Sequence, residues 1–226
     1  SYGHRVLHGD APVVIRRPQE YAEKLAVAYV EVDPSVRRQR IRKALDAETR
    51  KVAGARWRED EDLVEVVTHL TEWPSVILGG FDAGYLDLPS EVLVTVMRDH
   101  QKYFALEDGN GKLLPNFLAV LNIEVDAAGA AIIRHGNERV LRARFNDARF
   151  FWDVDQKIPL VDRVEMLKNV TFQKDLGSYW DKTEKNIKTA EYISDKLLGR
   201  HAEKWTDIAL AVKLAKADLT TEMVKE

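Results

Sequence analysis

The 226-residue sequence contains no cysteine, which removes disulfides, thiolate metal ligands and cysteine nucleophiles from consideration. That composition is compatible with a reducing compartment, and a cytoplasmic protein is the expectation. No apolar run approaches the roughly 20 residues that a membrane-spanning helix requires, so no membrane partner is expected. Phosphate-cradling glycine loops are missing too. Neither Gly-x-x-x-x-Gly-Lys-Ser/Thr nor Gly-x-Gly-x-x-Gly occurs, and there is no Gly-x-Ser-x-Gly elbow. These absences argue against an autonomous nucleotide or serine-hydrolase site, and no catalytic residue is assigned. The six histidines (His4, His8, His69, His100, His135 and His201) include no His-Glu-x-x-His pattern, and no metal site is expected.

What remains is an ordinary folded balance, 45% hydrophobic and 31% charged, with a net charge of -3. The small net charge hides blocks. Residues 37 to 58 hold nine Lys or Arg against Asp46 and Glu48, and Glu59, Asp60, Glu61, Asp62 and Glu65 follow at once. Two readings stay open: neighbouring solvated faces of opposite sign, or a phosphate-facing patch. The chain starts without methionine and stops inside a helical pattern, so it reads as a piece of something longer.

Along the chain, Gly3 to His8 and Pro12 to Arg16 read as short strands, and Tyr29 to Val32 as strand-like. Asp33-Pro34 is a helix start, a side-chain cap followed by proline at the first helical position. Leu63, Val64, Val67 and Leu70 mark a second helix, Ser75 to Phe81 a strand, and Pro89 opens a third helix. Asp108-Gly-Asn-Gly111 predicts a turn between strands 102–107 and 113–121. From about Ile132 the pattern becomes helical. Leu141, Phe145, Ala148 and Trp152 form one apolar stripe. Pro159 starts another helix, residues 178–198 a further one stopped by Gly199, and a last one runs from about Thr206 through Leu219. The fold class is therefore α+β, a mixed module over residues 1–135 followed by an all-helical one over 136–226.

Two groups could recognise a ligand. Arg98, His100, Gln101, Lys102 and Tyr103 crowd where a helix breaks into a hairpin. The cations there could complement the helix's negative pole, or Arg98 and Lys102 could meet phosphates while Tyr103 or Phe104 stacks on an unpaired base, with Phe104 the better fit to the core. Arg139, Arg142 and Arg149 form a stripe with Asn146, placed opposite the apolar stripe. It is either a solvated face or an RNA-backbone contact, since arginine forks suit phosphates.

Several strings carry a resemblance: Leu88 to Phe104, Leu114 to Asn122, Gly136-Asn-Glu-Arg-Val-Leu-Arg-Ala-Arg-Phe145, Phe172-Gln-Lys-Asp-Leu-Gly-Ser178 and Lys216 to Val224. Together they resemble the β subunit of the bacterial two-subunit glycyl-tRNA synthetase, over nearly the whole chain. The resemblance implies a tRNA-binding piece of a heterotetrameric glycine–tRNA ligase, partnered by glycine tRNA, the α subunit and a second β subunit. No cofactor is expected in this chain; ATP and Mg are expected in the α subunit. The first module is similar to the editing-type module of phenylalanyl-tRNA synthetase, yet editing by size has no target here, because no amino acid is smaller than glycine. The second module is similar to the start of an HD-type domain. Ala217 stands before Asp218 where that fold's metal pair has histidine, so a degenerate, metal-free version is expected. Alternatives are an HD-like metal-dependent phosphohydrolase fragment and a structural module that docks the α subunit.

Overall fold

The computed structural model describes residues 1–199 and 204–225 and divides into two compact units, Ser1–Asp147 and Ala148–Glu226. The architecture is mixed α and β. In the first unit, strands β1 (Arg56–Trp57), β2 (Ser75–Gly80), β3 (Tyr103–Glu107) and β4 (Leu113–Leu121) make an antiparallel sheet of order β1-β3-β4-β2. The β3–β4 hairpin forms where Asp108 predicts it. Its carboxylate accepts from the Asn110 and Lys112 amides at 2.8 and 3.0 Å, and Gly111 takes the left-handed φ of +80° that closes the turn.

Alternation along the two central strands assigns their faces. Phe104 pairs with Leu118 and both belong to a core with Leu106, Trp57 and Val76. Helices α2 (Pro34–Thr49) and α3 (Glu61–Leu70) cover that face with Ile41, Leu45, Leu63, Val64 and Val67. Asp33 caps α2 through the Ser35 amide, and Asp60 caps α3 through the Leu63 amide at 2.9 Å. On the opposite face Tyr103 and Phe117 stack, their centroids 4.6 Å apart. Gly79 pairs with Phe117 across the sheet, and a Cβ there would lie 2.3 Å from the phenyl ring, so only glycine admits that ring.

Three expectations fail near the start. Residues 3–8 and 12–16 form no strands, and an isolated bridge beside them joins Tyr2 to Pro12. His4 explains the rest: its buried ring accepts the Val6 and Leu7 amides on Nδ1 and donates from Nε2 to the Asn122 carbonyl at 2.6 Å, folding the backbone into a turn. Residues 29–32 form no strand. Tyr29, at φ +60°, ends α1 (Tyr21–Val27), and the Val30 amide returns to the Leu25 carbonyl.

Helix α5 (Ala127–Asp155) is single and long, and Leu141, Phe145 and Ala148 on it are buried. In the second unit, α6 (Leu160–Arg163) runs into a 3-10 turn over Val164–Asn169, and strands β5 (Thr171–Gln173) and β6 (Gly177–Ser178) pair as a hairpin. Helix α7 (Tyr179–Leu198) starts at a capping box: Ser178 Oγ accepts the Asp181 amide, and the Asp181 carboxylate accepts the Ser178 amide. Gly177 at φ +91° leaves room for that carboxylate.

The continuous last helix expected through Leu219 stops at Leu214: α8 (Trp205–Leu214) is followed by a 3-10 turn over Ala217–Thr220, and a separate α9 (Glu222–Lys225) comes after it. Asp155, on α5, accepts the Glu222 and Met223 amides at 2.9 Å each and the Arg163 guanidinium at 3.0 Å, so α9 begins where that carboxylate caps it. Arg163 is 4% exposed and also donates to the Thr220 carbonyl at 3.1 Å.

Candidate nucleic-acid interface

The helix opened by Pro89, α4 (Ser90–Thr95), widens into a π-helical turn over Val96–His100 before β3 begins. Lys102 follows in the left-handed region at φ +58°, although it carries a side chain. An irregular turn with a strained non-glycine residue costs free energy that a simple connection would avoid. The corner gathers Arg98, His100, Gln101, Lys102 and Tyr103, but their surroundings differ.

Arg98 is already committed. Its guanidinium donates to Asp60 at 2.5 Å and to Asp99 at 2.8 Å, with Asp62 at 3.9 Å. These carboxylates, Asp60 first, push its pKa up. Partial burial pulls Asp60 upward, but the Arg98 contact and the Leu63 amide outweigh it and hold the carboxyl below the usual range. Lys102 Nζ donates to the Asp99 carbonyl at 2.8 Å. Tyr103 is assigned a base-stacking role by the sequence reading; in the structure its ring is 8% exposed and stacked on Phe117. Burial pushes its phenol up to about 12. That ring is not open to a base. His100 is exposed and Gln101 half-buried.

The arginine stripe belongs to α5. Arg139 and Arg142 are exposed in the first unit; Arg149, half-buried, falls in the second. Helical geometry puts the Arg139–Arg142 row beside the buried Leu141–Phe145 row, not opposite it: Arg142 and Phe145 are one turn apart. Sequence reasoning missed what fixes this helix. Arg134 Nε donates to the Leu78 carbonyl at 2.8 Å, and Glu138 accepts the Gly80 amide at 3.0 Å. Both partners lie on the outer edge of β2, so two side chains one helical turn apart satisfy polar groups that a fifth strand would otherwise take. Phe145 packs edge-on against Phe81 at 5.0 Å, and Tyr85 donates to Asn146 at 2.5 Å. The i, i+4 spacing of Arg134 and Glu138 was visible in sequence; the edge they cover was not.

The basic block resolves into paired faces. Arg38 meets Glu65, Arg42 meets Glu61, Arg40 meets Glu124 at 3.5 Å and lies 4.0 Å over Trp73. Arg37 donates to the Glu31, Val32 and Thr68 carbonyls. Beside this block a cavity of about 550 Å³ is lined by Arg50, Arg56, Asp46, Glu59 and Glu107 with Trp57, a near-balanced set of charges. Among the described residues no three His, Asp or Glu side chains gather as a metal site, and no helix is long and apolar enough to cross a membrane. His201 lies outside the described residues.

The model of the family described as glycyl-tRNA synthetase beta subunit matches residues 1–226. Proteins named glycine–tRNA ligase beta subunit are similar throughout. One from Acidobacterium capsulatum is 64% identical, over 100% of this chain and 32% of that protein. One from Myxococcus xanthus is 46% identical, over 99% and 31%, and one from Acaryochloris marina 43%, over 100% and 31%. The chain spans about a third of the length of these relatives.

Proposed function

The chain belongs to the glycyl-tRNA synthetase β-subunit family, and from that premise we propose that it is the part of a glycine–tRNA ligase that helps hold glycine tRNA. In this reading the α subunit activates glycine and transfers it, with ATP and Mg bound there, and the α subunit and a second β subunit are the protein partners. The first unit serves as an editing-type fold turned to binding, and the second as the start of an HD-like fold without its metal. Ala217, where the HD pair would need histidine, is fully buried, and Asp218 beside it is exposed on a 3-10 turn.

One observation carries the reading. Arg139 and Arg142 stand exposed, while the first unit's ion pairs take up Arg38, Arg40, Arg42, Arg56 and Arg98. Guanidinium groups held out of ion pairs on a docked helix are positioned to fork onto phosphates. His100 and Gln101 at the π-helical corner are the secondary contact. The test is tRNA affinity of the full-length β subunit assembled with its α subunit. Arg139→Glu/Arg142→Glu is expected to weaken binding at least tenfold and to flatten its salt dependence. Unchanged affinity and salt dependence would refute the assignment.

A further inference from the structure

Helix α7 of the second unit carries four lysines and four acids, and three of the lysines share one row. Lys182, Lys185, Thr189, Tyr192 and Lys196 recur at i, i+3, i+7, i+10 and i+14, one straight row on a 3.6-residue helix. The opposite row holds Thr183 and Ser194, which are 4% and 6% exposed. The lysine row therefore faces away from the packed side. Lys188 falls with Glu184, Glu191 and Asp195 on the neighbouring face, and the Asp181 carboxylate is tied into the capping box with Ser178.

Two further facts separate this row from an ordinary solvated face. Among the described residues, the ion pairs of the second unit are Arg163–Asp155, Lys168–Glu165 and Lys225–Glu222, so the α7 lysines take no part in them. Aromatic rings sit along the row instead. Lys182 Nζ lies 3.7 Å from the Phe172 ring centroid, Lys196 Nζ lies 5.6 Å from that of Tyr192, and Tyr192 is 66% exposed in the middle of the row. The row runs about 21 Å at 1.5 Å per residue, too long for one phosphate group. Ammonium groups at both ends of the row with an exposed ring between them match a nucleic-acid strand in charge and surface.

We propose that the Lys182–Lys196 row of α7 is a second RNA-contacting face, which tracks the phosphodiester backbone of the bound tRNA while Tyr192 offers a platform to an unpaired base. This rests on the tRNA-binding reading above and adds a surface in the other unit. Lysines act as point charges and read no base edges, so the row adds affinity for any tRNA and no choice among them.

The test uses the full-length β subunit with its α subunit, titrated with glycine tRNA and with a second tRNA at several salt concentrations. Lys185→Glu/Lys196→Glu is expected to weaken binding of both tRNAs by about tenfold or more and to reduce the salt slope by about 2, one for each phosphate that a lysine no longer neutralises. Lys185→Gln/Lys196→Gln should fall between that variant and the parent. Tyr192→Ala should weaken binding with the salt slope unchanged. The thermal midpoint of each variant checks that the fold is intact. If the parent binds, Arg139→Glu/Arg142→Glu binds weakly and the α7 variants bind like the parent, this proposal falls and the earlier reading stands. If the parent itself has no affinity for tRNA, both fall. If the α7 variants lose the α subunit but the assembled fraction binds tRNA normally, the row is a protein contact and the proposal is overturned.

Discussion

Helices α2 and α7 both carry conspicuous positive charge, and they use it in different ways. The α2 segment belongs to the densest run of arginine and lysine in the chain, yet its four arginines turn inward or sideways. Arg37 binds three carbonyls, and Arg38, Arg40 and Arg42 each meet a carboxylate. Helix α7 has no net charge by count, but three of its four lysines share one outward row, and none of the four enters an ion pair among the described residues. Charge counted along a sequence measures supply. The field that a polyanion meets depends on what remains unpaired at the surface.

The extreme of inward use is Arg163, and removing it should produce the largest effect. Arg163→Met leaves the Asp155 carboxylate with two amides and no counter-charge, which is expected to cost about 3–5 kcal/mol in denaturant unfolding. Adding Asp155→Asn should recover part of that loss. A cost near zero would show that this pair does not hold α9 in place.

Asp60 comes next, because it both caps α3 and receives Arg98. Asp60→Ala is expected to destabilise by about 1–2 kcal/mol, the range of a lost helix cap. The same residue has a pH signature. Its folded pKa is held below the unfolded value of about 3.9. Its contribution is therefore complete above that value and is lost as pH falls through the lower folded pKa. Thermal midpoints measured down the acid range should fall less steeply in Arg98→Ala than in the parent.

The smallest effect belongs to the surface pairs. Arg38→Ala and Arg42→Ala should each cost less than about 1 kcal/mol and leave tRNA affinity unchanged, because exposed ion pairs contribute little and these cations already have partners. A large loss of tRNA affinity in either would erase the distinction between the two helices.

Local chemistry was readable where a residue acts within a few positions of itself. Asp33-Pro34 starts α2, Asp108 and Gly111 shape the hairpin turn, and Leu141 and Phe145 mark the buried row of α5. Gly199 ends α7 at φ +86°. Readings failed where the partner is distant. His4 owes its turn partly to Asn122, and α9 starts where Asp155 captures amides at 222 and 223. The candidate RNA-facing residues divide in the same way. That Arg98, Lys102 and Tyr103 sit at a corner followed from the helix-to-hairpin pattern. That Arg98 is bound by Asp60 and Tyr103 covered by Phe117 did not.

The sequence by itself determined most element types, the main caps and turns, the absence of thiol chemistry and the family, because propensity, capping and motif order act over short distances along the chain. Only the tertiary structure decided which charges are neutralised and which stay open. Arg38, Arg42 and Arg98 find their carboxylates 27, 19 and 38 residues away, and a pairing over such separations is fixed by how helices pack on a sheet.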